Sequence, residues 1–521
     1  MSQISFQLRG SLSGFNGAKG KKFKSPQEFF DGWLAFKIKK AKDRNLVNEA
    51  IANKAEAMRV IEPFFQNRQE NGGNFPTRVL KKINKTLSKF ILNEKQIDLS
   101  SITLSPDQEE ILNLLTISKT PIFLTGKAGT GKSLLLQYFR QKSDKNIVVC
   151  APTGVAALNI GGQTIHSLFK IAPELVRKDS LKVDAKTAKL LRYVDIVIID
   201  EISMVRPDLM DGIDYILRKA RGSQVPFGGV QLIMFGDLFQ LPPVVQKDLK
   251  DYFEQNYGGN FFFNADVWKK IKFEIRELTT VFRQKDEDFK LILNAVREGN
   301  ITDEQLEVLN SRADVEIPNE GVIILTTINA SAKRINDLKL NLLEAKVTEH
   351  IAEVAGHLEP SAFPTEETLR LKKGAQIMLL RNDKDKRWVN GTLGYIDSID
   401  GEEITVNIDG KVHAVAKETW NKIQYVLNEE TNTLDEKVVS SFTQFPLKLA
   451  WAITIHKSQG QTYNMVAIDM GYGAFAHGQT YVALSRCKTL EGIYLNRKIA
   501  RGDIIVEPKI IDFMQGKTNS R

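Results

Sequence analysis

Cysteine is almost missing: Cys150 and Cys487 are the only two in 521 residues, far apart and in no metal-ligand spacing. Both read as reduced thiols, which excludes a disulfide framework and a cysteine zinc site. Histidine is nearly as scarce, with six residues and no pair at ligand spacing, so no zinc site is expected. No apolar run approaches the roughly 18 residues of a membrane span, so no membrane partner is expected. Acid is absent from residues 1–27, which carry Arg9, Lys19, Lys21, Lys22 and Lys24 among Gly and Ser. That stretch lacks the apolar core and cleavage site of a secretion signal, and a single Arg is thin for a transit peptide. It reads as a solvated tail in preference to a basic arm on nucleic acid. No short period recurs, which argues against a repeat architecture.

What is present fits a soluble, multi-domain protein. Apolar residues make up 42% and charged residues 26%, ordinary for globular chains, and 521 residues accommodate about three or four domains. The net charge of +9 is compatible with a nucleic-acid partner and equally with a generally basic proteome. Residues 26–63 read as helical, opened by Ser25-Pro26, with Phe29, Phe30, Trp33, Leu34 and Phe36 on one face. A polar break at 66–76 and a basic helix at 77–92 follow. Residues 1–100 thus form a basic arm and helical appendage with no catalytic pattern.

From Ser105 onward short apolar runs at 122–125, 147–150, 196–199 and 231–235 alternate with helical stretches, the pattern of a parallel sheet covered on both faces. A second set lies at 322–325, 376–380, 465–468 and 493–495. Between 389 and 445 the pattern becomes alternating, around Asp400-Gly401 and Asp409-Gly410 turns, and predicts a small antiparallel β-barrel inserted into the second α/β unit. The expected domains are 1–100, 101–276, 277–388 with 446–521, and the insertion 389–445.

The first apolar run leads into Gly126-Lys127-Ala128-Gly129-Thr130-Gly131-Lys132-Ser133, and an apolar helix follows. Strand, glycine loop and helix are the context of a phosphate-binding loop. Glycines let backbone N–H groups turn inward onto phosphate oxygens, and the helix dipole favours the same anion. Lys132 is placed for the terminal phosphates and Ser133 for magnesium. A second apolar strand ends in Asp200-Glu201, at the edge where parallel sheets bind ligands. Asp200 is a candidate magnesium ligand beside Ser133, and Glu201 a candidate base for the attacking water. Gln240, in Gly236-Asp237-Leu238-Phe239-Gln240-Leu241-Pro242-Pro243, is a candidate for sensing the γ-phosphate or placing water. Arg283 and Arg486 are candidate arginine fingers.

These stretches, with others in the same order, resemble the Pif family (petite integration frequency) of 5′→3′ superfamily-one DNA helicases, which has RecD-like relatives. The likeness rests on Asp107-Gln108, the phosphate loop, Ala151-Pro152-Thr153-Gly154, Gln163-Thr164-Ile165-His166-Ser167, Asp200-Glu201-Ile202-Ser203-Met204 and the Gly236 stretch. It continues through Asp208-Leu209-Met210-Asp211 to Arg218-Lys219-Ala220-Arg221, then Phe282-Arg283-Gln284, Lys373-Gly374-Ala375-Gln376, Val389-Asn390-Gly391-Thr392, Ile455-His456-Lys457-Ser458-Gln459-Gly460 and Thr480-Tyr481-Val482-Ala483-Leu484-Ser485-Arg486. It spans roughly residues 105–500.

The resemblance implies an α/β fold of two RecA-like domains with ATP and Mg2+ between them, plus the small inserted barrel and the N-terminal appendage. It assigns Gln108, Gly126, Ala128, Gly129, Thr130, Gly131, Lys132, Ser133 and Gly460 to the nucleotide, and Ser133 with Asp200 to the metal. Lys132, Glu201, Gln240, Arg283 and Arg486 carry the chemistry. Pro152, Thr153, Thr164, His166, Asn390, Thr392, His456, Lys457 and Ser458 line the DNA path. A duplex-splitting wedge is expected within 170–192, although His166 read alone is a hydrogen-bonded residue at a helix start. The implied partners are single-stranded DNA and its junctions with duplex. G-quadruplex DNA is a family-level expectation that no residue carries. The chain is expected to act as a monomer, with a dimer on DNA as the alternative. Its setting would be DNA repair, recombination or telomere maintenance, in a bacterial nucleoid or a eukaryotic nucleus or mitochondrion. The rival readings are a translocase that strips proteins with little unwinding, and a small-molecule P-loop kinase.

Overall fold

A computed structural model describes residues 102–429 and 431–516; the expected arm and appendage over 1–100 lie outside the described residues. Six short strands, β1 (Ile122–Gly126), β2 (Ile147–Ala151), β3 (Gln163–Thr164), β4 (Ile196–Ile199), β5 (Gln231–Phe235) and β6 (Glu274–Leu278), form one parallel sheet in the order β3-β2-β4-β5-β1-β6. The period-2 alternation of the strands decides what each face meets. Phe123, Val148, Val197, Ile199, Leu232 and Met234 point to a core that the helix Pro207–Arg221 covers with Leu209, Ile213 and Ile216. Ile122, Leu124, Val149, Ile198, Ile233 and Phe235 point the other way, onto Leu115 of the helix Pro106–Ile117 and Leu135, Leu136 and Phe139 of the helix Lys132–Lys142. With both faces covered, β1, β2, β4 and β5 read as near-continuous apolar runs, whereas the edge strands β3 (Gln-Thr) and β6 (Glu-Ile-Arg-Glu-Leu) do not and are not among the expected runs.

Connectivity places the site. The chain leaves β1 in the direction of β2, whereas β5 leads to β6 on the other side of β1. The connections diverge there, and the loops after β1, β4 and β5 open onto the carboxyl edge where such sheets bind ligands.

The second half contains β7 (Ile323–Thr326), β8 (Thr348–Ile351), β9 (Glu353–Ala355), β10 (Thr368–Leu371), β11 (Gln376–Leu379), β12 (Leu393–Asp400), β13 (Glu403–Ile408), β14 (Lys411–Val415), β15 (Glu418–Asn428), β16 (Thr433–Gln444), β17 (Leu447–Leu449), β18 (Ala452–Thr454), β19 (Val466–Asp469) and β20 (Ile493–Leu495). The parallel sheet here runs β18-β7-β19-β20. One expected member is different: the 376–380 run pairs antiparallel with β12 and β17, and β18 joins the parallel sheet in its place. The reason is burial. Ile377 and Leu379 fill the core of the antiparallel sheet while Met378 packs into the α/β core. A strand buried on both faces carries the same unbroken apolar signature in either kind of sheet.

The antiparallel region also exceeds its expected span of 389–445. Its strands run from Thr348 to Leu449 and form a five-stranded sheet (β14-β13-β12-β11-β17), a three-stranded sheet (β15-β16-β9) and the pair β10-β8. Asp409 and Gly410, both at positive φ, make the tight turn from β13 to β14, as the Asp-Gly signal predicted. The β15–β16 hairpin reaches across to the first sheet: the Tyr425 hydroxyl accepts the Val149 N–H at 3.0 Å, and Gln163 Nε2 donates to the Ile423 carbonyl at 3.0 Å. Arg140 and Glu436 add an ion pair between the same parts.

The helix Pro207–Arg221, which holds the family-like stretch after Met204, buries Asp208, Asp211 and Asp214. Each carboxylate accepts a backbone N–H from another segment: Val176 at 2.8 Å, Val267 at 2.9 Å and Phe227 at 2.7 Å. Buried acids need such partners, and here they staple three segments to one helix. One of those segments is the expected wedge, 170–192. Val176, Leu190 and Leu191 are packed into the core, and Lys178 pairs with Asp211 at 3.1 Å.

Candidate nucleotide site and nucleic-acid face

The phosphate loop forms as its glycines predict. Gly129 and Gly131 sit at φ +83° and +82°, a region that side chains strain. A Cβ at Gly129 would stand 2.4 Å from that of Arg283, so this position is closed to anything larger. Gln108 is buried against the loop and donates from Nε2 to the Thr130 carbonyl at 3.1 Å. Thr130 ties the loop to itself through the Lys127 carbonyl. Lys132 folds back and donates to the carbonyls of Gly126 at 2.5 Å and Lys127 at 3.1 Å. Ser133, at the start of the following helix, is exposed.

Three acids end the neighbouring strands. Asp200 and Glu201 follow β4, and Asp237 follows β5. Burial, then the charge of Glu201, pushes the Asp200 carboxyl well above its ordinary range. Burial does the same to Glu201, against the pull of Lys132 and Arg486. Two adjacent acids whose burial raises both carboxyls have the chemistry to take up a divalent cation. Glu201 also holds a left-handed backbone (φ 51°, ψ 45°), a costly conformation for a residue with a side chain and one that concentrates at functional sites. Burial pushes the Lys132 ammonium down, partly offset by Asp237, Glu201 and Asp200.

The second half presses onto this loop. Phe282 N–H donates to the Gly129 carbonyl at 3.0 Å, and Arg283 Nη1 donates to the Ser485 carbonyl at 2.9 Å. Burial, followed by the repulsion of Arg486, pushes the Arg283 guanidinium down to about 9. Arg486 is 1% exposed and donates to the carbonyls of Val482, Ser458 and Gln461 and to the Ser485 hydroxyl. Its guanidinium is therefore held by its own half, while its charge still bears on Glu201. Gln240 lies between Asp237 and Gln459 of the second half, within 3.4 and 3.5 Å. Gly460, at φ +77°, forms the turn after His456–Ser458.

Two contacts were not legible as site features. The Tyr481 hydroxyl accepts the Ala128 N–H at 3.0 Å, and Arg297 Nη2 reaches Asp237 Oδ1 at 3.2 Å. Tyr481 lay inside the stretch read for Arg486, and Asp237 inside the one read for Gln240. Arg297 sits in an ordinary amphipathic helix, Glu287–Glu298, with no local signal.

The predicted nucleic-acid residues divide. His456 and Lys457 line a cavity of about 410 Å3 with Thr327, Ile328, Asn329 and Thr454, above the carboxyl edge of the second parallel sheet. Burial pushes the His456 imidazole down, which favours its neutral form. Lys448, unread in the sequence, alternates with Leu447 and Leu449 of the five-stranded sheet's core; burial and then Lys457 push its ammonium down to about 8. Thr153 and Thr164 cap helices through their hydroxyl oxygens, accepting from Ala156 and Ser167. His166 donates from Nδ1 to the Ile171 carbonyl at 3.1 Å, the helix-start role it has when read alone. Pro152 is half-buried beside Thr153. Asn390 is exposed, and the Thr392 hydroxyl accepts the Val389 N–H. Ser458 departs from the expectation: it is fully buried and spends its hydroxyl proton on the Ile455 carbonyl at 2.7 Å, so it shapes the turn.

A phosphate loop on one parallel sheet, touched by arginine- and tyrosine-bearing segments of a second, defines a two-lobed P-loop nucleoside triphosphatase. The sequence pattern of the PIF1-like helicase family matches residues 103–307, and that of the DNA helicase Pif1 2B domain matches residues 354–399. The ATP-dependent DNA helicase Pif1 of Bdellovibrio bacteriovorus is 36% identical over 425 residues, 79% of this chain and 92% of that protein. A Bacteroides sp Pif1 crystal structure in complex with ADP-AlF4 is 40% identical with a TM-score of 0.75, covering 80% of this chain and 98% of the other. A second Bacteroides Pif1 structure, with ADP-AlF3 and single-stranded DNA, is 41% identical with a TM-score of 0.59, covering 81% and 98%. The chain belongs to the PIF1-like helicase family.

Proposed function

We propose that this chain is an ATP-dependent DNA helicase that steps 5′→3′ along single-stranded DNA and separates the duplex ahead of it. The observation that carries the reading is the shared site: Phe282, Arg283 and Tyr481 of the second half lie against a phosphate loop built by the first. A site completed across two lobes ties nucleotide state to lobe position, which turns a chemical cycle into movement.

In this reading Gln108, Gly126, Ala128, Gly129, Thr130, Gly131 and Gly460 shape the nucleotide site. Lys132 exchanges its loop carbonyls for phosphate oxygens. Ser133 and Asp200 would hold Mg2+, which would supply positive charge to the phosphates. Glu201 orients and deprotonates water, Gln240 positions it, and Arg283 and Arg486 supply positive charge from the second half. Pro152, Thr153, Thr164 and His166 on one lobe, and Asn390, Thr392, His456 and Lys457 on the other, track sugar and phosphate without reading sequence. The Bacteroides Pif1 structure with single-stranded DNA supports this track. A Pif1 structure of two coordinating helicases at forked duplex DNA, 40% identical, supports junctions as substrate and pairing on DNA. G-quadruplex DNA stays a family-level expectation that no residue of the site carries.

Duplexes with a 5′ tail and with a 3′ tail test the proposal. Strand release from the 5′-tailed duplex alone is expected. Release from the 3′-tailed one would reverse the polarity, and displacement of a bound protein without strand release would favour the translocase reading.

A further inference from the structure

Tyr481 stands in the helix Gln479–Leu484 of the second half and is 3% exposed. Its hydroxyl oxygen accepts the Ala128 N–H, but among the described residues its proton goes to no acceptor. Buried hydroxyls ordinarily spend that proton, so an unspent one in a ligand cleft marks a place for an acceptor. Burial, with the charge of Asp237, pushes the phenol up to about 12, so the group is a donor at any working pH.

The surroundings say which acceptor. Gln108 approaches the loop at Thr130 and Gly131. Tyr481 and Arg283 approach it at Ala128 and Gly129, from the second half. The charge of Arg486 bears on Arg283, and those of Glu201 and Asp237 act on Lys132 and Arg486. Half-buried Arg283, which bonds the Ser485 carbonyl, and buried Arg486, which bonds the Ser485 hydroxyl, both bear on Tyr481, and two cations beside an unspent hydroxyl proton fit an anion. The side of the loop facing Glu201 and the arginines is where a terminal phosphoryl group lies when Glu201 is the base.

We propose that Tyr481 reads the γ-phosphate: held by the Ala128 amide, its hydroxyl donates a hydrogen bond to a γ-phosphoryl oxygen, so that the second half distinguishes ATP from ADP. This rests on the nucleotide-site reading above and deepens it. Arginine fingers stabilise charge that develops during transfer. A neutral phenol on the ground-state γ-phosphate instead sets which nucleotide keeps the lobes together.

The test is equilibrium binding to the full chain of a fluorescent ADP and a fluorescent β,γ-imido ATP with Mg2+, in wild type, Y481F and Tyr481→His. In Y481F the affinity for the imido analogue should fall about ten-fold or more, the size of a hydrogen bond to a charged group, while that for ADP is retained. Tyr481→His, which keeps a ring N–H donor, should recover part of the discrimination. Equal losses for both nucleotides would make Tyr481 a brace of the loop and overturn the proposal, as would unchanged affinities. A wild-type chain that binds neither nucleotide would sink the nucleotide site itself, a different result from lost discrimination.

Discussion

Arg297 and Asp237 form a buried ion pair between the two α/β halves, 3.2 Å apart, with exposures of 4% and 1%. Arg297 lies 4.1 Å over the Phe239 ring as well. The pair links the end of β5, next to the phosphate loop, to the helix Glu287–Glu298, which carries no nucleotide residue of its own. It is therefore a joint of the lobes as well as part of the field around Lys132, where Asp237 is the largest favourable charge.

Asp237→Asn should cost stability, by less than the roughly 3–5 kcal/mol of a wholly unpaired buried charge, because Arg297 would keep only the half-exposed Glu277, 3.6 Å away, as counter-charge. Denaturant unfolding measures this. Burial pushes the Asp237 carboxyl up, but Arg297 and Lys132 more than offset it, and its pKa lies below the ordinary carboxylate value. A depressed folded-state pKa gives stability that is present above the unfolded value, near 4, and lost as pH falls toward the folded one. The gap between wild type and Asp237→Asn should thus be full at pH 7 and shrink in strong acid. A gap that widens in acid would contradict the pairing.

Lys132→Ala should abolish ATP turnover while the loop keeps its shape. Lys132 now bonds only Gly126 and Lys127, whereas Gln108 and Thr130 hold the loop independently. Steady-state phosphate release and thermal unfolding measured together would show the split. Near-normal turnover would remove Lys132 from the phosphates.

Glu201→Gln should bind ATP with Mg2+ yet cleave it about 10²–10⁴-fold more slowly, the range for loss of a general base. The backbone at 201 is already left-handed, and Gln meets the same strain as Glu, so a loss of rate reports chemistry. Nucleotide binding and single-turnover hydrolysis, compared in one preparation, decide it.

Single-strand binding should weaken with salt at about 0.7 log units in affinity per log unit of salt for each neutralised phosphate. Lys457→Ala, at the cavity with His456, should lower that slope by about 0.7. An unchanged slope would take Lys457 off the DNA path.

How much of this was legible follows from how local each signal is. The phosphate loop, the Asp200-Glu201 pair and four strands of the first parallel sheet are written in contiguous residues, whereas the short or polar edge strands β3 and β6 carry no such run. The run 376–380 misled because burial on two faces looks alike in parallel and antiparallel sheets. Ser458 was legible as part of a loop, but which way its hydroxyl turned depended on Ile455. Arg297 and the contact of Tyr425 with Val149 had no local signal, and Tyr481 had one only as part of the stretch read for Arg486. Each is a pairing of residues about 60, 353 or 276 positions apart, set by how the halves pack.

The central claim is that the phosphate loop is half of a site whose other half is positioned by DNA. ATP turnover by the wild-type chain, measured while single-stranded DNA is added, tests it most directly. Slow turnover without DNA and a saturable rise of at least about ten-fold with it are expected, as when fingers arrive by lobe movement. Turnover that is the same with and without DNA would contradict it and return the small-molecule kinase to consideration.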